Sequence, residues 1–463
     1  MGVAMKRKIV FSLALCVLAV SIVCFIKESL PFAARLWSGQ NEENLKESTE
    51  EQQSLEEILQ SGDDDAVIAA AKELDTIGED VKPILFTALE NKQKAAYDEA
   101  IVHIRAYDYQ KAAAVLESFK SDVPPSFGFT VSEESEKLLQ NCKSYSTLTE
   151  YQGPVEHIFF HPLIAYKELA FDGDYQEKGL DDYFTTVPEF KEVIRQLYEN
   201  NYILIDIGLI YDVGEDGSVT KSKLMLPEGK KPVVISIDDL NFYDYMKEHG
   251  MAHGFMIQDG RIVTYSDRPD GTRDISDDNA IVPILDRFVK EHPDFSFGGA
   301  KGIIASTGYN GTLGFPTHET ESPDYQENFK KAKEMADHLK STGWSFASHS
   351  YGHGSPSKQS YEKLCRDNDL WIKEVVPIVG ETDVYIYPYG ELIDVDDPKH
   401  KYIEQNGFKM FCGVQSREPY LRFYDGSVLM QRRNIDGIAM KGNKIGNMFD
   451  VSLILDPDRP KYD

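Results

Sequence analysis

Two histidines four residues apart, His349 and His353, have the type and spacing that metal binding requires. Two imidazoles can share a cation at about 2.0–2.1 Å when the backbone turns both rings to one side. Nearby Gly352, Gly354 and Pro356 predict a loop, which excludes the helical HExxH arrangement. The chain has 11 histidines among 463 residues, so such a close pair is uncommon by chance. The pair therefore predicts a metal site, and the alternative is a surface loop without function.

A pair of aspartates, Asp238 and Asp239, directly follows the apolar run VVISI. One carboxylate could bind a cation while the other takes a proton. Taken alone, the pair is more often an acidic turn at a strand end. Together with the two histidines, an aspartate gives an Asp-His-His set with an open coordination position. That pattern is typical of catalytic metal sites and not of structural ones.

Strand-like apolar runs alternate with amphipathic helical segments from residue 154 onward, which favours a parallel sheet covered by helices. Seven or eight such units over about 300 residues favour a closed barrel over an open sheet. The strand-like runs cover residues 157–161, 202–207, 233–238, 253–257, 344–348, 384–388, 409–414 and 451–455. Segment 296–323, rich in Gly, Thr and Ser, is predicted to be an insertion loop.

Parallel α/β folds gather their reacting groups at the carboxyl ends of the strands, so we ask which polar residues follow each run. The aspartate pair and the histidine pair follow two of the runs. His161 ends a third run, and Tyr389 follows a fourth. Polar residues at four separate strand ends therefore predict one shared site at that end of the barrel.

The order strand-Asp-Asp, strand-His-Ser-x-x-His, strand-Tyr-Pro-Tyr-Gly resembles the NodB-homology polysaccharide deacetylases, carbohydrate esterase family 4, over residues 155–455. FFHPLI with the following helical segment resembles the family's opening strand and helix, and LKSTGWSFASHSYGH resembles its approach to the histidine motif. The resemblance implies an α/β fold, a deformed (β/α)7 barrel around a sugar-binding groove. It also implies metal-dependent hydrolysis of N-acetyl groups on an N-acetylated polysaccharide.

The resemblance assigns roles to individual residues of this chain. It implies Asp239, His349 and His353 as metal ligands and Asp238 as the general base that takes a proton from the attacking water. A backbone N–H near Tyr389 would hold the oxyanion, and His161, Pro388 and Tyr389 would contact the substrate. Zinc is the expected metal, and Co²⁺, Ni²⁺ or Mn²⁺ could also occupy an Asp-His-His site.

The chain departs from the family pattern at three places. Leu240 replaces the glycine after the aspartate pair, and the arginine expected before Pro388 is absent. The last predicted strand is followed by Asp456 and not by the histidine that protonates the leaving amine. Asp456, His161 or His318 could replace that acid. Two alternatives therefore remain, a catalytically silent glycan-binding relative and an O-acetyl esterase.

The N-terminus predicts a membrane anchor. Three basic residues, Lys6, Arg7 and Lys8, precede an uncharged run over residues 9–26. Eighteen helical residues span roughly 27 Å, close to a bilayer core, whereas a cleaved signal peptide has a shorter apolar stretch. The basic cluster should stay inside the cell. Residues 1–37 are therefore predicted to be a single-pass signal anchor, with the body outside the cell and a cell-surface or cell-wall glycan as substrate.

Two segments separate the predicted anchor from the barrel. Residues 38–64 are rich in acidic side chains and are predicted to be a solvated spacer. Residues 65–150 have apolar residues at helical spacing, which predicts a helical stalk or a tetratricopeptide-like region that could bind a protein partner. The net charge of -28 excludes a nucleic-acid groove, because phosphates would be repelled.

Overall fold

The computed structural model describes residues 58, 63–74, 76–78, 81–144, 148–414 and 418–462. The described residues up to Ala95 form one compact unit with Phe119–Val131, and Ala96–Ser118 form the other with those from Ser132 onward. The predicted anchor at 1–37 and nearly all of the predicted spacer at 38–64 lie outside the described residues. Within the described part, no helix has the length and apolar character to cross a bilayer.

The described residues form helices and strands that are numbered here in chain order. The helices are α1 Asp64–Lys72, α2 Lys82–Arg105, α3 Tyr109–Asp122, α4 Glu133–Ser144, α5 Lys167–Ala170, α6 Glu177–Tyr183, α7 Val187–Glu199, α8 Asp244–Glu248, α9 Ile281–Glu291, α10 Tyr325–Ser341, α11 Tyr361–Glu374, α12 Val376–Val379, α13 Pro398–Gln405, α14 Gly437–Lys441 and α15 Val451–Ile454. Single 3-10 turns cover Pro125–Phe127, Ile207–Ile210, Pro293–Phe295 and Pro388–Gly390. The strands are β1 Leu148–Glu150, β2 Glu156–Phe160, β3 Tyr202–Leu204, β4 Tyr211–Val213, β5 Val219–Lys221, β6 Met225–Pro227, β7 Lys231–Asp238, β8 Gly254–Gln258, β9 Arg261–Asp267, β10 Arg273–Ser276, β11 Gly302–Ser306, β12 Trp344–Ser348, β13 Val384–Ile386, β14 Met410–Val414, β15 Tyr420–Phe423 and β16 Val428–Asn434.

The smaller unit is helical. Helix α1 begins after Asp63, whose Oδ1 accepts the N–H groups of Asp65 and Ala66 and so satisfies two otherwise unpaired donors. Its apolar face packs with the start of α2 and with the Pro125–Phe127 turn. This core contains Val67, Ile68, Ala71, Leu85, Ala88, Leu89 and Phe127.

Seven strands of the larger unit close into a parallel barrel in the order β2, β7, β11, β12, β13, β14, β16 and back to β2. Alternate residues of each strand face the interior or the surrounding helices. The interior cluster includes Val234, Ile303, Ala305, Ala347, Ile386, Cys412 and Met430. The outer faces pack against the helices through residues such as Ile235, Ile304 and Phe346. The predicted parallel barrel of seven strands is confirmed.

The last strand of the barrel was predicted wrongly. Segment 451–455 is not a strand, because residues Val451–Ile454 form helix α15, whose first turn is capped by the Asp450 carboxylate. The strand that closes the barrel is β16, Val428–Asn434, which pairs with β14 and β2. Its apolar pattern is interrupted by Gln431, Arg432 and Arg433, so no strand was predicted there.

Two further predictions need correction. Segment 296–323 is not a continuous insertion loop, because it contains the barrel strand β11, whose short apolar run GIIAS is flanked by glycines and polar residues. The predicted strand at 253–257 exists as β8, but it pairs antiparallel with β9 in a separate three-stranded sheet with β10. The barrel therefore contains β11, where a loop was expected, and lacks the strand predicted at 253–257. The strand predicted at 202–207 exists as the shorter β3, which pairs with β7 outside the closed ring.

The C-terminal tail is held to the barrel by a buried guanidinium. Arg459 donates to both carboxylate oxygens of Glu189 at 2.6 and 2.8 Å and to the Asp181 carboxylate at 3.0 Å. It also donates to the carbonyl oxygens of Asp181 and Phe184, both at 2.6 Å. These contacts join the tail to helices α6 and α7, and every charge in the network has a partner.

Replacing this arginine should destabilise the barrel. Arg459→Met leaves Glu189 buried without its counter-charge, while Asp181 keeps its ion pair with Lys441, so we expect a loss of about 3–5 kcal/mol in the free energy of unfolding. Urea denaturation of the purified variant measures this loss. Arg273→Met, which removes an exposed ion pair with Asp267, is the control and should cost less than about 1 kcal/mol. Equal losses in the two variants would contradict the assigned role of Arg459.

Candidate metal centre

Three of the predicted ligands lie together at the carboxyl end of the barrel. Strand β7 ends at Asp238 and is followed by Asp239, and strand β12 ends one residue before His349. A nitrogen of His349, a nitrogen of His353 and a carboxylate oxygen of Asp239 all lie within 4.8 Å of one another. Ligand atoms at about 2 Å from one ion lie up to about 4 Å apart, so this spacing is close to what a single shared cation requires.

The protonation of both imidazoles suits metal binding. The Nδ1 atom of His349 lies 2.8 Å from the carbonyl oxygen of Ile386, which can only accept, so Nδ1 carries the proton. Its Nε2 atom is then the one with a free lone pair, the form that binds metals. Burial lowers the pKa of His353, so this ring also stays neutral near pH 7. Its Nε2 atom lies 3.5 Å from Asp239 Oδ2.

The backbone at this centre is strained. Asp239, Ser350 and His353 all have positive φ, at 59°, 58° and 49°. Such conformations cost of order 1–3 kcal/mol each and persist only where the surroundings enforce them. In the histidine loop, the carboxylate of Asp367 on α11 accepts the N–H groups of Tyr351 at 2.7 Å and Gly352 at 2.8 Å. This carboxylate holds the turn that brings the two histidines to one side.

Asp238, the predicted general base, is buried against an arginine. Arg432 on β16 donates from Nη1 to Oδ1 at 2.6 Å and from Nη2 to Oδ2 at 2.9 Å. Burial alone would raise the pKa of Asp238, but the charge and hydrogen bonds of Arg432 hold it well below its usual range. The carboxylate is therefore ionised, and its remaining lone pairs can accept a proton.

Arg432 is the site residue that the sequence analysis missed. It lies two residues after Met430, which faces the barrel interior, so strand alternation turns its side chain inward as well. Its Nη1 also donates to Ser236 Oγ at 3.0 Å, and His157 Nε2 lies 3.0 Å from the same oxygen. The guanidinium carbon lies 4.2 Å from the ring centre of Phe159. The one signal in the sequence was a pair of arginines inside the run VLMQRRNI.

His161 lies beside this centre at the end of β2. Its Nδ1 is 3.1 Å from the Tyr183 carbonyl oxygen and so carries a proton, which makes Nε2 the atom that can exchange one. Its ring contacts those of Phe159 and Phe184 at centroid distances of 5.9 and 5.4 Å. Burial lowers the pKa of His353 and the charge of Asp239 raises it, and a protonated His161 would lower it further. His161 is thus within electrostatic range of the centre.

The other two candidate acids are placed differently. Asp456 forms an ion pair with Lys167 at 3.0 Å and accepts a hydrogen bond from Thr186 Oγ1 at 3.2 Å. Asp456 was proposed as the general acid because it was expected to follow the last barrel strand. That expectation is wrong, since Asp456 follows helix α15. Its place is in the ion network near the C-terminal tail. For His318, the described residues show neither a hydrogen bond nor an ion pair with the centre.

The segment after β13 brings Tyr389 beside the histidines. Pro388 is buried, whereas Tyr389 has a φ of 58° and is 65% exposed. The Tyr389 ring lies 4.7 Å from the His353 ring, measured between centroids. Tyr389 therefore lines the open side of the centre, and its proposed backbone contact with an oxyanion stays a prediction.

Comparisons with known proteins return structural matches at low identity. A Bacillus anthracis protein described as a polysaccharide deacetylase is 15% identical over 64% of this chain and 69% of its own, with a TM-score of 0.37. A Streptococcus pyogenes deacetylase is 13% identical over 65% of this chain and 100% of its own, and its TM-score is also 0.37. A de-N-acetylase of Aggregatibacter actinomycetemcomitans is 15% identical over 64% and 100%, again at 0.37. No family model and no curated protein matches the chain.

Removing the carboxylate that holds the histidine loop should weaken metal binding. Without Asp367, the N–H groups of Tyr351 and Gly352 lose their acceptor, and the two imidazoles lose their common orientation. We expect Asp367→Ala to lower zinc affinity about 10–100-fold, measured by competition with a chromogenic chelator. The control is Asp369→Ala on the same helix, which removes only an acceptor of Tyr402. An unchanged affinity in Asp367→Ala would contradict the role given to this carboxylate.

Removing Arg432 should change how stability depends on pH. In the wild type the pKa of Asp238 is below its unfolded value of about 3.9. The Arg432–Asp238 pair therefore stabilises the fold fully above that pH, and its contribution decreases as the pH falls below it. In Arg432→Met burial raises this pKa above the unfolded value, so ionisation now opposes folding.

The difference in free energy of unfolding between wild type and Arg432→Met should therefore widen from about pH 4 to pH 7 and reach about 3–5 kcal/mol. Urea denaturation in the presence of a chelator measures it, and Arg432→Lys, which keeps a charge, should show a smaller pH effect. A difference that is constant over this range would rule out the pairing.

Proposed function

We propose that this chain is a metal-dependent hydrolase that removes N-acetyl groups from a polysaccharide. The observation that carries the proposal is the Asp239, His349 and His353 set with the ionised Asp238 directly beside it. Two imidazoles and one carboxylate suit Zn²⁺, and Co²⁺, Ni²⁺ or Mn²⁺ would also fit these donors. A divalent cation held there would supply Lewis acidity, which polarises an amide carbonyl and makes water a better nucleophile.

Asp238 would act as the general base. Its neighbour Asp239 is a ligand, so a water bound at the centre would lie within reach of the Asp238 carboxylate. The two hydrogen bonds from Arg432 fix the orientation of that carboxylate and keep it ionised. A base that must accept a proton from water then needs no rearrangement before the reaction.

His161 would act as the general acid in place of the expected C-terminal histidine. An amine leaves an amide only when its nitrogen is protonated, and a positioned acid contributes about 10²–10⁴-fold to such a step. The Tyr183 carbonyl fixes the His161 tautomer, so Nε2 is the atom that would deliver the proton. A backbone N–H at Tyr389 would stabilise the negative charge that develops on the carbonyl oxygen.

The substrate class follows from the predicted location. The predicted anchor at 1–37 would hold the barrel outside the cell, where an N-acetylglucosamine-containing cell-wall or cell-surface glycan is the available substrate. Tyr389 stands exposed beside the proposed ligands, so the centre is open on this side, which supports a polymer over a buried small molecule.

The direct test is acetate release from N-acetylglucosamine oligomers by residues 38–463 with added zinc or cobalt. Asp238→Asn and His161→Ala should keep the metal and lose about 10²–10⁴-fold in rate. His349→Ala should lose the metal as well, whereas His338→Ala on α10 should match the wild type. O-acetylated sugars should be less affected by His161→Ala, because an alkoxide leaves more easily than an amine.

Three outcomes would contradict the proposal. Bound metal without acetate from any N-acetyl or O-acetyl sugar would favour a silent glycan-binding protein. Acetate from O-acetyl sugars alone would make the protein an esterase. No metal in the wild type would remove the centre itself.

A further inference from the structure

Three tyrosines form a continuous stack beside the metal centre. The ring of Tyr243 is stacked on that of Tyr309, with centroids 5.5 Å apart and planes at 24°. The Tyr243 ring also stacks with that of Tyr245, at 6.2 Å and 13°. Tyr243 and Tyr245 follow strand β7, and Tyr309 follows the neighbouring strand β11. Two separate loops at the carboxyl end of the barrel thus contribute to one aromatic surface, which we name the tyrosine stack.

The tyrosine stack touches a metal ligand directly. The hydroxyl of Tyr243 lies 3.4 Å from Asp239 Oδ1 and 2.7 Å from Thr307 Oγ1. Tyr243 itself is only 6% exposed, whereas Tyr245 and Tyr309 are each 39% exposed. The central ring therefore fixes the stack to the centre, and the two outer rings reach the surface.

A purely structural role does not account for the outer rings. An aromatic ring that serves only to fill a core is normally buried, and leaving one third of it in water forfeits part of its hydrophobic contribution. Exposed aromatic faces next to a few fixed polar groups are instead typical of ligand sites. The faces of a pyranose ring carry C–H groups, which are attracted to the electron-rich face of an aromatic ring.

We propose that the tyrosine stack is a binding subsite for sugar residues that flank the residue being deacetylated. The proposal rests on the proposed function and narrows its substrate to N-acetylhexosamine chains of at least two residues. Tyr245 and Tyr309 are specificity-determining residues that contact the flanking pyranoses, and Tyr243 is a positioning residue. The Tyr243 hydroxyl joins the stack to Asp239.

The test compares a chitin tetramer with N-acetylglucosamine as substrates of the zinc-loaded full chain. Tyr309→Ala and Tyr245→Ala should each raise the KM for the tetramer about tenfold, with a smaller effect on kcat and unchanged zinc content. Tyr309→Trp, which keeps an aromatic face, should restore the KM. The matched control is Tyr361→Ala, since Tyr361 is 43% exposed and packs on Tyr402 at 6.0 Å on a different helix.

A second arm measures equilibrium binding of the tetramer to metal-free protein by calorimetry, which needs no turnover. Weaker binding in both alanine variants, with normal binding in Tyr361→Ala, supports the subsite even if the wild type releases no acetate. In that case the proposed function fails and the subsite stands. Wild-type kinetics or affinity in the alanine variants would overturn the subsite, and so would a wild type that neither binds nor deacetylates the tetramer.

Discussion

Two charges buried inside the barrel, the guanidinium of Arg432 and the carboxylate of Asp238, must stay together, because either one alone in that interior would be strongly unfavourable. The two residues lie on β16 and β7, which flank β2 from either side in the closed ring. Their contact therefore depends on closure of the barrel. It also places an ionised aspartate one residue before Asp239, the proposed metal ligand, so the same contact serves the fold and the proposed chemistry.

The centre is built on strand ends and completed by strained loops. The barrel strands position Asp238, His349 and His161, since each of these residues ends a strand or directly follows one. The positive φ values of Asp239 and His353 then turn the ligands toward one another, and the surrounding hydrogen bonds offset the cost. The packed barrel interior and the strained loops at its carboxyl end together explain how residues far apart in the chain share one centre.

Much of this arrangement could be predicted from the sequence, because β2, β7 and β12 are apolar runs followed by the polar residues of the centre. The strand that closes the barrel could not be predicted in this way. Its arginines look like surface residues until their partners are known, and Asp238 is 194 residues away from Arg432 in the chain. Asp456 was proposed for the opposite reason, since VSLIL has a strand-like composition but begins with a helix cap at Asp450. Long-range pairing determines the strand at Val428–Asn434, and local capping determines the helix at Val451–Ile454.

The proposed chemistry depends on the binding of one divalent cation by Asp239, His349 and His353 at the open end of this barrel. The most direct measurement is a crystal structure of the zinc-loaded protein with data collected at the zinc absorption edge. The account predicts one anomalous peak at about 2.0–2.2 Å from a carboxylate oxygen of Asp239 and the Nε2 atoms of both histidines. A zinc ion bound elsewhere, with these three side chains uncoordinated, would contradict it.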